Sequence, residues 1–126
     1  MVGIYKEMKL LPILKEIKED LPKILWHATD YENLVSIMHE GLKPDKLENA
    51  VFFTDTPSGS AKFLLIRGVK HIISIPVETR KLDKSKIQES FDHNENFFQT
   101  RAWMYLEHIP ASKINTNKIM VYDLRK

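Results

Sequence analysis

Cysteine is absent from the 126 residues, which excludes disulfides, thiolate metal sites and cysteine nucleophiles. Long apolar runs are missing too: nothing approaches the roughly 18 residues needed to span a bilayer. The opening "MVGIYKEMKLLPILKEIKED" alternates apolar and charged groups without a cleavage-like site. A cytoplasmic protein is the expectation. The five histidines, at 27, 39, 71, 93 and 108, include no HExxH or comparable spacing, so no metal is expected. Net charge is only +2, too little to imply a polyanionic partner from the total alone. What is there, 43% apolar and 29% charged residues, is the composition of a folded globular domain. At this length a single domain over 1 to 126 is expected.

The distribution of charge is less even than its sum. Between residues 62 and 86 seven basic side chains (Lys62, Arg67, Lys70, Arg80, Lys81, Lys84, Lys86) face two acids (Glu78, Asp83). Such a run is commonly a solvated surface; its functional counterpart is a landing surface for a phosphate-rich ligand.

Hydrophobic spacing divides the chain into an N-terminal segment, 1 to 20, and a core, 23 to 122. Ile4, Met8, Leu11, Leu14 and Ile17 recur at helical spacing, with Pro12 a break or restart. "KILWHATD" (23 to 30) reads as a buried strand, and "TDYE" as a capping box in which Thr29 and Glu32 open a helix. Leu34, Ile37, Met38 and Leu42 form that helix's apolar stripe, and Gly41 its left-handed stop. "AVFFT" (50 to 54) is a second strand; Thr54, Asp55 or Thr56 then caps a helix that begins at Pro57 and runs to about Ile66, with Gly68 as stop. "VKHIISIPV" (69 to 77) is β-branched and suits a central strand. Residues 78 to 95 read as loop with a short helix. "NFFQTRAWMYLEHIP" returns to strand, Pro110 opens a turn in "IPASKI", and "KIMVYDLRK" is a last strand. With so few helical crossovers the fold class is α+β, with a curved, mostly antiparallel sheet.

Three strand ends carry unusual residue sets: "WHATD", "VFFTDTPSGSAKF" and "TRAWMYLEHIP". A histidine at a strand end or a Phe pair in a strand is ordinarily structural when it stands alone. Together and in this order they resemble the ADP-ribosyltransferase superfamily, over roughly residues 23 to 122. "HAT" (27 to 29) is similar to the family's first motif, a His followed by a small residue and Ser or Thr. "VFFTDTPSGSAKF" is similar to its second, an aromatic on a strand leading into a helix with Ser and another aromatic. "AWMYLEHIPASKI" is similar to its third, a strand with a Glu, often followed by Trp, ahead of an IPxxxI turn.

The resemblance implies an ADP-ribosyltransferase-like split sheet and NAD as co-substrate, with no metal. His27 would bind the ribose of NAD, the Ala28 backbone would pair with the nicotinamide carboxamide, and Thr29 would contact ribose or serve only as a cap. Phe52 and Phe63 would sandwich the nicotinamide, and Ser60 would donate to the carboxamide oxygen. Aligned on Ile109-Pro110, the family's catalytic Glu falls on Ala102. A carboxylate is what normally sits there to bind the ribose 2′-hydroxyl and help activate the acceptor, so binding is expected to persist while turnover falls roughly 10²- to 10⁴-fold. Either the chain is an inactivated form of a toxic enzyme or it is a natural pseudoenzyme; the retention of His27, Phe52, Ser60 and Phe63 favours the former. Glu107 is a poor substitute, five residues along the strand, about 16 Å away and on the opposite face. Glu95 could serve only if its loop folds over the cleft.

The implied activity is mono-ADP-ribosyl transfer to a macromolecular acceptor, nucleic acid ahead of protein because of the basic run. A toxin or phage-related effector is the implied setting, with an antitoxin as a conceivable partner and no membrane. Two alternatives stand beside it. One is an RNA 2′-phosphotransferase-like enzyme, against which the lack of an arginine cluster beside "HAT" counts. The other is a non-catalytic module for NAD or ADP-ribose, in which Ala102 is native.

Overall fold

The computed structural model of the chain describes residues 21–90 and 101–125. The helix expected over 4 to 20, the end of the loop with Glu95, and "NFFQT", the start of the next expected strand, lie outside the described residues. Among the described residues six strands are seen: β1 (Ile24–Asp30), β2 (Val51–Thr54), β3 (His71–Glu78), β4 (Ile87–Glu89), β5 (Ala102–Tyr105) and β6 (Met120–Asp123). They form one sheet in the order β4-β5-β2-β1-β3-β6, every neighbouring pair antiparallel. Two short helices, α1 (Leu34–Glu40) and α2 (Pro57–Leu65), complete an α+β architecture.

Alternation along the strands sorts the side chains onto two faces. Leu25, Val51, Phe53, Ile73, Ile75, Val77, Trp103 and Tyr105 join one core cluster, closed by Ile37 of α1, by Ile87 of β4 and by Leu42, Leu82, Ile109 and Ile114 from the connecting segments. Helix α2 packs on β1 and β3, its Ser60 reaching Ser74 of β3. Covered on both sides, β3 is buried from Ile72 through Val77, which is why "IISIPV" has no polar alternation. Pro76 is tolerated inside this strand because its carbonyl, and so its missing N–H, faces away from β1. Asn115 N–H reaches that carbonyl at 3.3 Å, past the last position paired to β6, which is Ser74.

Three local expectations differ from the structure, and a fourth is narrowed to one residue. The Thr29/Glu32 capping box does not form: β1 continues through Asp30, which pairs with Ile72. Asp30 Oδ1 therefore takes the Glu32 N–H at 3.1 Å and starts a 3-10 turn, Tyr31–Asn33, ahead of α1. Met38 is half exposed, since the seven-residue α1 buries only Ile37 against the sheet. Residues 78 to 90 hold two 3-10 turns and then β4; three residues are too few to display a period of two. The α2 cap is Thr56, whose Oγ1 accepts from the Gly59 N–H at 3.0 Å, with Pro57 in the first turn.

Gly41 ends α1 with φ +80° and ψ −161°, a region that only glycine occupies without strain. It is also a point of contact. Leu42 and Ile109 exchange backbone hydrogen bonds of 2.8 and 2.9 Å, bringing the segment after β5 so close that a Cβ on Gly41 would lie 2.0 Å from the Ile109 carbonyl oxygen. Gly68 has φ +90° and open space around it. Gly41→Ala is expected to lower the unfolding free energy by about 3 kcal/mol or more. Gly68→Ala, which meets only backbone strain, is expected to cost about 1 kcal/mol. Urea titration of the two variants measures the difference, and equal losses would contradict the close approach at Gly41.

Candidate functional site

The sheet is weakest at its centre. β1 and β3 are in register over seven positions from Ile24 to Asp30, and β2 and β5 over four. Between β1 and β2 the register holds one pair, Trp26 with Thr54. Beyond it the strands diverge, and His27 turns its ring into the opening. Its Nδ1 lies 2.7 Å from the Phe52 carbonyl oxygen. Because a carbonyl only accepts, Nδ1 carries the proton, and in the neutral ring Nε2 is left as an acceptor. Desolvation by burial holds the imidazole below its ordinary value of 6.5, opposed in part by the Phe52 carbonyl, which favours the protonated ring. The ring meets Phe53 edge-on, centroids 5.9 Å apart.

Around this opening lies a cleft of about 460 Å³, within the range of small-molecule sites. Strand alternation builds its walls. While Phe53 enters the core, Phe52 and Thr54 face the other way, and Ala102 pairs directly with Thr54. Helix α2 contributes Ser60, Phe63 and Leu64, and Arg67 follows just after the helix. The loop between α1 and β2 contributes Lys43, Asp45, Leu47 and Glu48 to the wall. That loop is pinned by Asp45, whose Oδ1 accepts from the Leu47 and Glu48 N–H groups at 2.7 and 3.3 Å, an Asx-type turn.

Six of the seven residues singled out from the sequence meet on this cleft: His27, Ala28, Phe52, Ser60, Phe63 and Ala102. Thr29 is not among its lining residues; its Oγ1 accepts from Asn33 Nδ2 at 2.9 Å. Ser60 is 4% exposed and bonded on its inner side to Pro57 and Ser74. Ala102 is 2% exposed, and its carbonyl accepts from the Ser90 N–H at 2.8 Å. Glu107 follows the end of β5, is exposed, and pairs with Lys86 at 2.6 Å, away from the cleft. Glu95 is outside the described residues.

Sequence reasoning missed Trp26, Thr54, Lys43 and Arg67. The first two follow from their neighbours once the register is known. Arg67 belongs to the basic run, and its guanidinium has no ion-pair partner among the described residues. The run itself does not form one surface. The eight residues of β3, roughly 26 Å of strand, separate Lys70 before it from the members beyond its end. Of the latter, Arg80 and Lys81 pair with Glu78 at 2.9 and 3.5 Å, and Lys86 with Glu107. Among the described residues no cluster of His, Asp or Glu is arranged to hold a metal ion, and no helix is long and apolar enough to cross a membrane.

No protein-family model matches the sequence, and a search of curated proteins finds no match.

The depressed His27 pKa has a signed consequence. The unfolded imidazole takes up its proton as pH falls through about 6.5, before the folded one does, so stability contributed by His27 is full above that value and is lost as pH falls toward the lower folded pKa. His27→Asn keeps a donor for the Phe52 carbonyl but cannot take a proton. It is expected to show a shallower fall in melting temperature than the unsubstituted chain between pH of about 7.5 and 5. Parallel curves would mean that the ring is not desolvated.

Proposed function

We propose that this chain is a mono-ADP-ribosyltransferase-type domain that binds NAD in the β1/β2 cleft and directs ADP-ribose to a macromolecular acceptor, its turnover suppressed by alanine at 102. The observation that carries this is convergence. Residues chosen from three ordered motifs for their likeness to that superfamily meet on one cleft, contributed by β1, β2, α2 and β5.

The cleft has the chemistry that a dinucleotide needs. Trp26, Phe52 and Phe63 offer aromatic surface for a flat ring that is cationic while attached. The His27 Nε2 atom can accept a hydrogen bond from a ribose hydroxyl, the Ala28 backbone can pair with a carboxamide, and Ser60 can donate to its oxygen. Arg67 supplies a charge for the pyrophosphate. Breaking the bond to nicotinamide builds positive charge on the ribose, and the chain's own answer to that charge would be a carboxylate at position 102, opposite Thr54. A methyl group there leaves binding intact and removes the electrostatic stabilisation. As acceptor, nucleic acid ranks above protein because the basic run of the sequence brings Arg67 to the cleft wall.

Two neighbouring readings use the same cleft. Arg67 and Lys43 on its wall also suit an RNA 2′-phosphotransferase-like reaction, and Ala102 as the native residue suits a module that only binds NAD or ADP-ribose. Transfer of label from adenylate-labelled NAD into a cell extract separates the three. Ala102→Glu is expected to label at least about 100-fold faster than the unsubstituted chain, and nuclease or protease treatment identifies the acceptor. Binding of NAD with no labelling by either protein favours the binding module; phosphate moved from 2′-phosphorylated RNA to NAD favours the phosphotransferase. A folded chain that binds neither NAD nor ADP-ribose overturns all three. Arg67→Ala is expected to weaken NAD about tenfold and to leave nicotinamide binding unchanged, as read by calorimetry.

A further inference from the structure

Two buried hydroxyls and one carbonyl form a triangle beneath the cleft. Ser60 Oγ is 2.8 Å from the Pro57 carbonyl oxygen and 2.9 Å from Ser74 Oγ, and Ser74 Oγ is itself 2.8 Å from the same carbonyl. Ser60 lines the cleft, whereas Ser74 lies behind it in β3, fully buried. In an α-helix the Pro57 carbonyl also takes the N–H four residues on, that of Ala61, which leaves one lone pair for two O–H groups. The protons can circulate in either sense: Ser60 to Pro57 with Ser74 to Ser60, or Ser74 to Pro57 with Ser60 to Ser74. Neither arrangement leaves the carbonyl without a hydroxyl.

We propose that Ser74 is a positioning residue that frees the Ser60 proton for the bound ligand. When an acceptor such as a carboxamide oxygen reaches Ser60, the Ser60 O–H turns to it and the Ser74 O–H covers the Pro57 carbonyl from 2.8 Å. Without Ser74, the Ser60 proton is held by that carbonyl, and a ligand must compete for it. Ser74 thus acts on carboxamide recognition without touching the ligand. This rests on the NAD reading above.

The test compares three ligands by calorimetry: NAD and nicotinamide, which carry the carboxamide, and ADP-ribose, which lacks it. Ser74→Ala is expected to weaken NAD and nicotinamide roughly three- to tenfold and to leave ADP-ribose unchanged. In a Ser60→Ala background the same substitution is expected to have no further effect on NAD, since there is no proton left to release. A merely structural Ser74 would lower the affinity for ADP-ribose as much as for NAD, and that result overturns the proposal; so does an undiminished affinity for all three ligands, or a loss that persists without the Ser60 hydroxyl. If the unsubstituted chain binds none of the three, the NAD reading falls and takes this one with it. Carboxamide-independent binding overturns this proposal alone.

Discussion

The hydrogen bond from His27 Nδ1 to the Phe52 carbonyl spans the place where two halves of the sheet part company. On one side β1, β3 and β6 are laddered together, on the other β2, β4 and β5, and the halves share the single register pair of Trp26 and Thr54. A continuous ladder here would have closed the cleft. The divergence opens it, and a side chain rather than a backbone N–H reaches the carbonyl on the far side. The same contact fixes the tautomer, so the group that holds the opening also presents an acceptor, Nε2. Burial keeps that acceptor neutral, which is the state in which it can accept a hydrogen bond from a hydroxyl.

The rest of the fold holds this opening at a fixed width. The core face is sealed by α1, the segment around Leu42 and the turn at Ile109 and Ile114, with the paired backbone of Leu42 and Ile109 as the fastening. Gly41 permits that fastening because no side chain fits between the two segments. On the other face α2 is fixed to β3 through Ser60, Ser74 and Pro57. The two helices therefore act on different faces, and only α2 borders the cleft.

Charge is arranged more locally than the sequence suggests. The basic run contains side chains already paired with Glu78 and Glu107, and an exposed pair of this kind contributes little to stability. Arg101, just before Ala102, is spent in a similar way: its guanidinium pairs with the nearly buried Glu89 at 2.9 Å and lies 4.8 Å from the Trp103 ring. It helps hold β5 against β4 and leaves the start of β5 in a fixed position beside Thr54.

Much of this was legible in one dimension. Period-two alternation in "VFFT" separates Phe53 from Phe52. β-branched continuity marks β3, Pro57 after Thr56 starts α2, and the order of the three motifs selects His27, Phe52, Ser60, Phe63 and Ala102. These features rest on local propensity and on the fixed alternation of strand side chains, which any strand obeys wherever it packs. Tertiary structure alone decided the register that sets Ala102 against Thr54, the capture of Ser60 by Ser74, the arrival of Arg67 at the cleft and the division of the basic run. It also turned Thr29 away to Asn33 and made a strand of "IQE". Those outcomes depend on which strands lie side by side, and pairing between distant segments leaves no periodic trace in the sequence that undergoes it.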